Sequence, residues 1–501
     1  MRTEARRAGL RQSTLQETPE TGDTVRMMRR RAIPALILLA VALAIATASC
    51  GGAAVPGGGE VPDSASLAPA GALAFATLTT DESSGQWKHA ADLVDRLPGT
   101  NADLRREIGG ALDEQGLTWQ DDVAPALGPE VVLVVTADRK TIVLTQPDDQ
   151  AKLTALLAKA DEPIVSADVN GWTALAETQS DLAAYRSSLA RGSLSGDAGL
   201  EAGFAALPAD ALARAWVDVA SLTPQLQQQL GQVSKDLDLG VDWLSAAVAA
   251  EDDGVRLAVG VRAPGGNGTE YEPKLVERVP ADAVVALSFG GTQKLVNEIE
   301  RRIPLGAIAD QVEKATGVSV GGILDAFSGE GIVYVRPAGT APEVTLVLAP
   351  PDPEKVWQTI DRLAHRIAEQ SGTTVRTVNE DGREVSLVDA GGASVRYAKL
   401  DDDTVIVTTG VTGIRDFVSD GDKLDSSDAY RRAADAVGLG DRTGGFLYVD
   451  VDGLLPIVDG LAGGALSPDD REAIQKVDAF VLEASRGGDT TTLTGFLRLN
   501  D

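Results

Sequence analysis

The chain has 501 residues, 44% of them hydrophobic and 24% charged, a globular composition long enough for two or three domains with cores of their own. Its 45 basic and 74 acidic residues give a net charge of −29, and eight arginines crowd into the first 31 positions, leaving 37 basic against 70 acidic residues beyond them. With no basic stripe to neutralise a phosphate backbone, nucleic acid is excluded as a partner.

Aromatic residues make up 4% of the chain, which leaves few platforms for stacking on sugars or bases. One cysteine excludes an intrachain disulfide, and the two histidines, His89 and His365, are too far apart in sequence to suggest a zinc or copper site. No metal and no cofactor are expected.

From Met27 the sequence reads as an export signal: Arg29, Arg30 and Arg31, an uncharged apolar run from Ala32 to about Ala46, then small residues before Cys50. The run is shorter than the roughly 20 residues of a membrane-spanning helix. Residues 1–49 are therefore taken as the signal, with the true start near 27. Thr47-Ala48-Ser49-Cys50 resembles a bacterial lipobox with Thr47 in place of the usual Leu, Val or Ile, and Cys50 becomes the candidate lipid attachment site. Residues 50–67, rich in Gly, Pro and Ser, read as a flexible tether. The expected location is extracytoplasmic, anchored to the cell membrane through Cys50. Cleavage after Ala46-Thr47-Ala48, giving a secreted protein, is the alternative.

The remainder contains one plan twice. "APAGALAFATL" from Ala68 and "VPADAVVALSF" from Val279 each put a proline ahead of an apolar run. Gly116 to Gly128 and Gly317 to Gly329 share a spacing, "TIVLTQPDD" from Thr141 matches "TLVLAPPDP" from Thr345, and Val-Asp-Val recurs at 217–219 and 449–451. These matches set a first repeat domain at 68–263, a linker at 264–278 and a second repeat domain at 279–501. Hairpins without regular single-helix crossovers predict an α+β fold, two tandem homologous domains each with a mainly antiparallel sheet packed with helices. The second copy is longer between Ala349 and Thr409, which predicts at least one extra hairpin there.

The proline-led strands, "GSLSGDAGLEAGFAALPADALARAWVDVASL" from Gly192, its echo "DKLDSSDAYRRAADAVGLGDRTGGFLYVDVDGL" from Asp422, and the leader resemble the bacterial domain-of-unknown-function family 3352, over residues 68–499. That resemblance implies an envelope protein without an assigned activity and carries over no catalytic residue.

Gly317-Val318-Ser319-Val320-Gly321 has the spacing of a serine-hydrolase nucleophile, yet the preceding segment reads as a helix ending at Gly317 rather than a strand. The counterpart of Ser319 is Thr118, followed at Asp121 by an acid, so both read as helix N-caps. His89 and His365 fall on polar helix faces. A hydrolase using Ser319 is the least favoured reading, and no catalytic residue is assigned.

Asp401, Asp402 and Asp403 read as a hairpin turn, Asp425 as a cap for the helix that follows, and Asp218 and Asp450 as solvent-facing or capping strand residues. Leu454, Leu455, Ile457, Val458 and Leu461 form a segment apolar on all sides, either a buried helix or a docking surface or flap. The functional expectation is a non-enzymatic binding or scaffolding protein of the cell envelope, with an envelope protein as partner; the alternative is a carrier of an apolar ligand.

Overall fold

The computed structural model describes residues 58–96, 116–160, 163–223, 240–265, 269–290, 318–338, 341–390, 393–400, 403–461 and 467–500. The signal segment, Cys50, Gly317, and Asp401 and Asp402 lie outside these residues.

Alternating apolar residues build the strands of the first half. They are β1 (Ala74–Thr79), β2 (Glu130–Val135), β3 (Thr141–Thr145), β4 (Val165–Val169), β5 (Trp172–Ala176), β6 (Ala213–Asp218), β7 (Trp243–Glu251) and β8 (Gly254–Arg262). All pairings are antiparallel, in the spatial order β4-β5-β3-β2-β1-β6-β7-β8. Phe75, Val132, Val134, Ile142 and Leu144 alternate inward and are fully buried, as a period of two requires. The helices Gln179–Leu189 and Ala198–Ala205 close this core through Tyr185, Leu200 and Phe204.

The second half has β9 (Val285–Phe289), β10 (Glu330–Arg336), β11 (Glu343–Ala349), β12 (Arg376–Glu380), β13 (Arg383–Ala390), β14 (Ala393–Lys399), β15 (Val405–Thr408), β16 (Gly445–Asp450), β17 (Val477–Gly487) and β18 (Thr490–Leu499). Their order is β12-β13-β14-β15-β11-β10-β9-β16-β17-β18, again antiparallel throughout. Without β12 and β13 this is the order of the first half, so the added length is the β12–β13 hairpin, and β14 and β15 stand for β4 and β5. Its turn places Asp381 and Gly382 at φ of 52° and 83°, the left-handed pair that a two-residue hairpin loop needs. The Pro353–Ser371 helix packs across β13, β14 and β15, burying Val356, Ala364 and Ala368.

The halves join edge to edge: β8 pairs with β18 from Arg262 opposite Thr490 to Gly254 opposite Arg498, making one 18-stranded sheet among the described residues. An approximate two-fold relation runs through this seam. Arg262 reaches Asp242 of its own half at 3.2 Å and Asp489 of the other at 3.9 Å; Arg498 reaches Asp478 at 3.5 Å and Asp253 at 3.3 Å. The α+β class and antiparallel sheet are as expected. The described residues from 58 onward belong to a single compact unit, Ala48–Asp501.

Three sequence expectations are corrected. The tether does not extend over residues 58–67: the Gly59 N–H donates to the Leu207 carbonyl at 3.2 Å, and the turn Asp63–Leu67 buries Ser64, Ala65 and Leu67. Thr141 does not match Thr345. Leu144 lies opposite Val132 and Val347 opposite Ile332, so Thr141 corresponds to Val344, both exposed; a slip of one residue would turn every side chain to the wrong face. The helix Asp428–Val437 is capped by Ser427, whose hydroxyl accepts the Tyr430 N–H at 3.2 Å, while Asp425 sits in the preceding turn.

Candidate functional site

In the first half a cavity of about 350 Å³ opens where the ends of β6, β7 and β8 meet the start of the Ala198–Ala205 helix. Strand register assembles its floor. Asp218 lies opposite Trp243 and Trp243 opposite Arg262, with Trp216 two residues back along β6. Asp197 supplies the rim as the helix N-cap, its Oδ1 accepting the N–H groups of Gly199 and Leu200, both at 2.9 Å. Asp218 accepts the Ser221 N–H at 2.9 Å and the Ser221 hydroxyl at 2.7 Å, and Asp242 holds Arg262.

Two glycines one turn apart let the helix rest on the tryptophans. A Cβ on Gly203 would lie 2.6 Å from Trp216 Cδ1, and one on Gly199 would lie 3.4 Å from Trp243 Cδ1 and 3.6 Å from Trp216 Cζ2. Both indoles are buried, 4% and 2% exposed, yet the Nε1 of each and the Oγ of neighbouring Ser245 have no hydrogen-bond partner. An unmet buried donor costs about 1–3 kcal/mol. The cleft therefore offers carboxylate acceptors and a guanidinium donor, with the two indoles sealed beneath the helix.

The second half keeps the polar frame and loses the aromatic seat. Arg498 and Asp478 repeat Arg262 and Asp242, whereas Tyr448 stands for Trp216 and Ala479 for Trp243, as the paired registers show. Ala433 occupies the place of Gly203 on the covering helix.

The second half instead buries charge. Arg336, 12% exposed, pairs with Asp282 at 2.7 Å, Asp416 at 3.0 Å and the buried Glu343 at 3.6 Å. Burial pushes the Glu483 carboxyl up to about 8 against a hydrogen bond from Thr443, and that of Glu330 up to about 7 against the backbone N–H groups of Leu275 and Lys274. Glu130, which opens β2 as Glu330 opens β10, is raised by burial too.

Ser319 is a helix N-cap: its hydroxyl accepts the Gly322 N–H at 3.1 Å, as Thr118 accepts that of Asp121 at 3.1 Å. His365 hydrogen-bonds to the Asp361 carbonyl within its own helix, and His89 pairs with exposed Asp252 at 2.9 Å. Neither meets Ser319. Asp450 caps the Val451–Leu461 helix through the Gly453 N–H at 2.9 Å, the role Asp218 plays for Ser221, and burial raises its carboxyl. On that helix Leu455 is buried, Leu454 and Ile457 are half-buried and Val458 is exposed; the Leu461 side chain lies outside the described residues. Asp403 sits in the β14–β15 turn at φ 64°. Among the described residues no cluster of metal-ligating side chains occurs and no helix is long and apolar enough to cross a membrane.

The cleft was missed in the sequence because its residues lie on three strands and a helix. Its signal was Gly199-x-x-x-Gly203, two small residues on one helix face ahead of "AWVD".

No curated protein matches the chain. Among solved structures, crystal form IV of TP0453 is similar at 13% identity and TM-score 0.24, covering 42% of this chain and 75% of that one. Crystal form III matches at 12% identity and the same TM-score, over 44% and 91%. The family model described as protein of unknown function (DUF3352) matches residues 185–499, which contain both strands of the seam and every residue lining the cleft, and the chain belongs to that family.

Proposed function

We propose that the protein is a lipid-anchored, extracytoplasmic, non-enzymatic binding protein of the cell envelope, made of two homologous domains, with the first-half cleft as its ligand seat. The observation that carries this reading is the asymmetry of a duplicated fold: the aromatic floor with unpartnered indole donors stands in one half, while the other keeps only the polar frame. The short leash agrees with it. Eight residues lie between Cys50 and Gly59, where the chain is already docked, so an anchor at Cys50 holds the fold within about 30 Å of the bilayer.

A second reading, the carrier of an apolar ligand, has its own observation. On the sheet face away from the main cores, Leu78, Ala213, Val248, Leu257, Gly495, Leu482, Leu447 and Leu287 are successive neighbours from strand to strand across the seam. Leu78, Val248, Leu257 and Leu287 are 37–46% exposed.

Native mass spectrometry of the protein gently released from its own membrane separates the two. A small polar adduct, lost in Gly199→Leu because the new side chain fills the cleft, is the expected result, on a chain carrying a diacylglyceryl mass at Cys50. An adduct of acyl-chain mass that survives Gly199→Leu would transfer the function to the apolar row. A chain with neither adduct, co-migrating with another envelope protein, would make it a scaffold.

A further inference from the structure

The hairpin that distinguishes the second half ends the sheet on an open edge. In the first half the outermost strand is β4, closed by a two-residue turn at Asn170 and Gly171, so Ser166 and Asp168 point their backbone groups outward. The Arg186 guanidinium donates to the Asp168 carbonyl and covers that edge. In the second half β14 stands for β4, and the β12–β13 hairpin moves the edge two strands outward. Among the described residues β12 pairs with β13 alone, from Arg376 opposite Leu387 to Glu380 opposite Arg383. The closing pair of a two-residue hairpin exchanges both its hydrogen bonds, so Glu380, Val378 and Arg376 direct their backbone groups to β13 while Thr377 and Asn379 present theirs outward. Proteins commonly blunt such an edge with lysine, proline or a bulge. β12 reads Arg-Thr-Val-Asn-Glu, its register has no shift, and Arg376, Thr377, Val378 and Asn379 are all exposed.

This strand is complementary to itself. Laid antiparallel on a copy about Val378, it brings Thr377 opposite Asn379 on both sides of the axis, outward groups meeting outward groups, for about four hydrogen bonds. The same register sets Val378 against its own copy and Arg376 against Glu380 twice, all on one face. Registers centred on Thr377 or Asn379 also match outward groups, but they leave Arg376 or Glu380 opposite Val378. The side chains are available: Val378 is 38% exposed, Arg376 61% and Glu380 28%. Arg376 meets Asp389 and Glu380 meets Arg396 within the chain, and a carboxylate has about four lone-pair positions, enough to serve a second guanidinium. We infer that a second copy of this chain docks on β12 by antiparallel edge pairing about Val378, continuing the sheet across a two-fold axis. The fold already uses this joint once, at the β8–β18 seam, where Arg262 and Arg498 reach carboxylates of the opposite half. The pairing is isologous, so it closes at two copies. One short strand from each copy makes a contact of the small, reversible class.

Sedimentation velocity of the purified full-length protein reads the association, over concentrations up to about 1 mM and in about 0.15 M salt to screen repulsion between two acidic chains. Thr377→Pro deletes an outward N–H, the side of an edge strand where proline leaves the ladder whole, and the axis repeats the loss. It should weaken the dimer about ten- to thirty-fold with an unchanged unfolding midpoint. A pair of cysteine variants reports the register independently of how that variant folds. Across the axis, in a non-hydrogen-bonded pair, the two copies of Val378→Cys stand about 4.5 Å apart at Cα, within disulfide reach. The two copies of Thr377→Cys lie on the diagonal at about 7–8 Å, past that reach. Mild oxidation should link Val378→Cys and leave Thr377→Cys unlinked, with peptide masses separating these links from any through Cys50. A wild type that stays monomeric throughout, with no link in Val378→Cys, would overturn the proposal. So would a dimer that Thr377→Pro leaves intact, which places the interface elsewhere, or equal linking of both cysteine variants, which marks random collision.

Discussion

Beneath β6, β7 and β8 the first half packs Ala211, Ala247, Ala249 and Ala258 against Leu207, an apolar cluster. The same strand positions of the second half carry Thr443, Glu483, Ser485 and Thr494, each 0–2% exposed. One strand arrangement therefore accommodates opposite interior chemistry, and the sheet register, not the side chains, is what the two halves share. The polar version is only partly satisfied: Thr443 donates to Glu483 at 3.4 Å, Ser485 to the Thr492 carbonyl at 3.3 Å, and the Thr494 hydroxyl has no partner. A half-met buried network is costly, which places the less stable interior in the second half.

The largest expected effect comes from the other buried charge of that half. Arg336→Met leaves Glu343, 4% exposed, with only the hydroxyls of Thr345 and Thr408 nearby at 3.3 and 3.5 Å. Removing one partner of a buried pair costs about 3–5 kcal/mol. The matching residue of the first half is Thr136, bound to Asp138 and the Lys140 carbonyl, where Thr136→Val should cost about 1 kcal/mol. Urea unfolding at neutral pH measures both. A shared midpoint would mean that the Arg336 cluster is solvated in practice and is not what secures the second half.

Glu483→Gln sharpens the comparison by pH. The folded carboxyl titrates at about 8 against an ordinary 4.5, so below the ordinary value both states hold the proton and the contribution to stability is whole. As pH rises the unfolded chain loses its proton first, and stability falls until the folded pKa is passed. Each unit of displacement is about 1.4 kcal/mol, so the fall amounts to a few kcal/mol. Glu330, at about 7, falls in the same sense but is finished earlier. Chemical denaturation across pH 5 to 9 should show the wild type losing stability and the glutamine variant losing much less, with the change in their difference complete only above pH 8. Parallel curves would place Glu483 in water, and the contrast with Ala247 would lose its energetic meaning.

How much of this was readable in the sequence follows from the range over which each feature is determined. The repeat was visible because a proline opening a strand and an Asp closing one are local requirements: Pro69 and Pro280 each form an isolated bridge to the segment ahead of the covering helix, at Ser193 and Lys423. The caps at Thr118 and Ser319 were visible for the same reason. The Thr141–Thr345 match failed by one residue because identity of letters ignores the inward-outward period that Leu144 and Val347 obey. Asp425 was misplaced because Ser427 competes for the same cap. The seam was invisible: β8 and β18 are far apart in the chain, and nothing local in "GVRLAVGVR" says that its outer edge meets "TTTLTGFLRL". The cleft depends on that seam through Arg262 and Asp489, so it stayed hidden as well.

The helix over the cleft gives the finest test of the comparison. Gly203 and Ala433 are equivalent, and each is matched to the aromatic beneath it, Trp216 in one half and Tyr448 in the other. Gly203→Ala gains about 1 kcal/mol in helix propensity, but its Cβ would stand 2.6 Å from Trp216 Cδ1, and overpacking of this kind costs about 1–3 kcal/mol. The expected result is a net loss of about 1 kcal/mol with a shifted indole emission. Ala433→Gly forfeits propensity and a buried methyl, about 1–2 kcal/mol, with no change at the tryptophans. Thermal unfolding and fluorescence on both variants decide the matter. If Gly203→Ala raises stability and leaves the emission unmoved, propensity has won, the helix does not press on Trp216, and the glycine pair is no longer the device by which the first half built its aromatic seat.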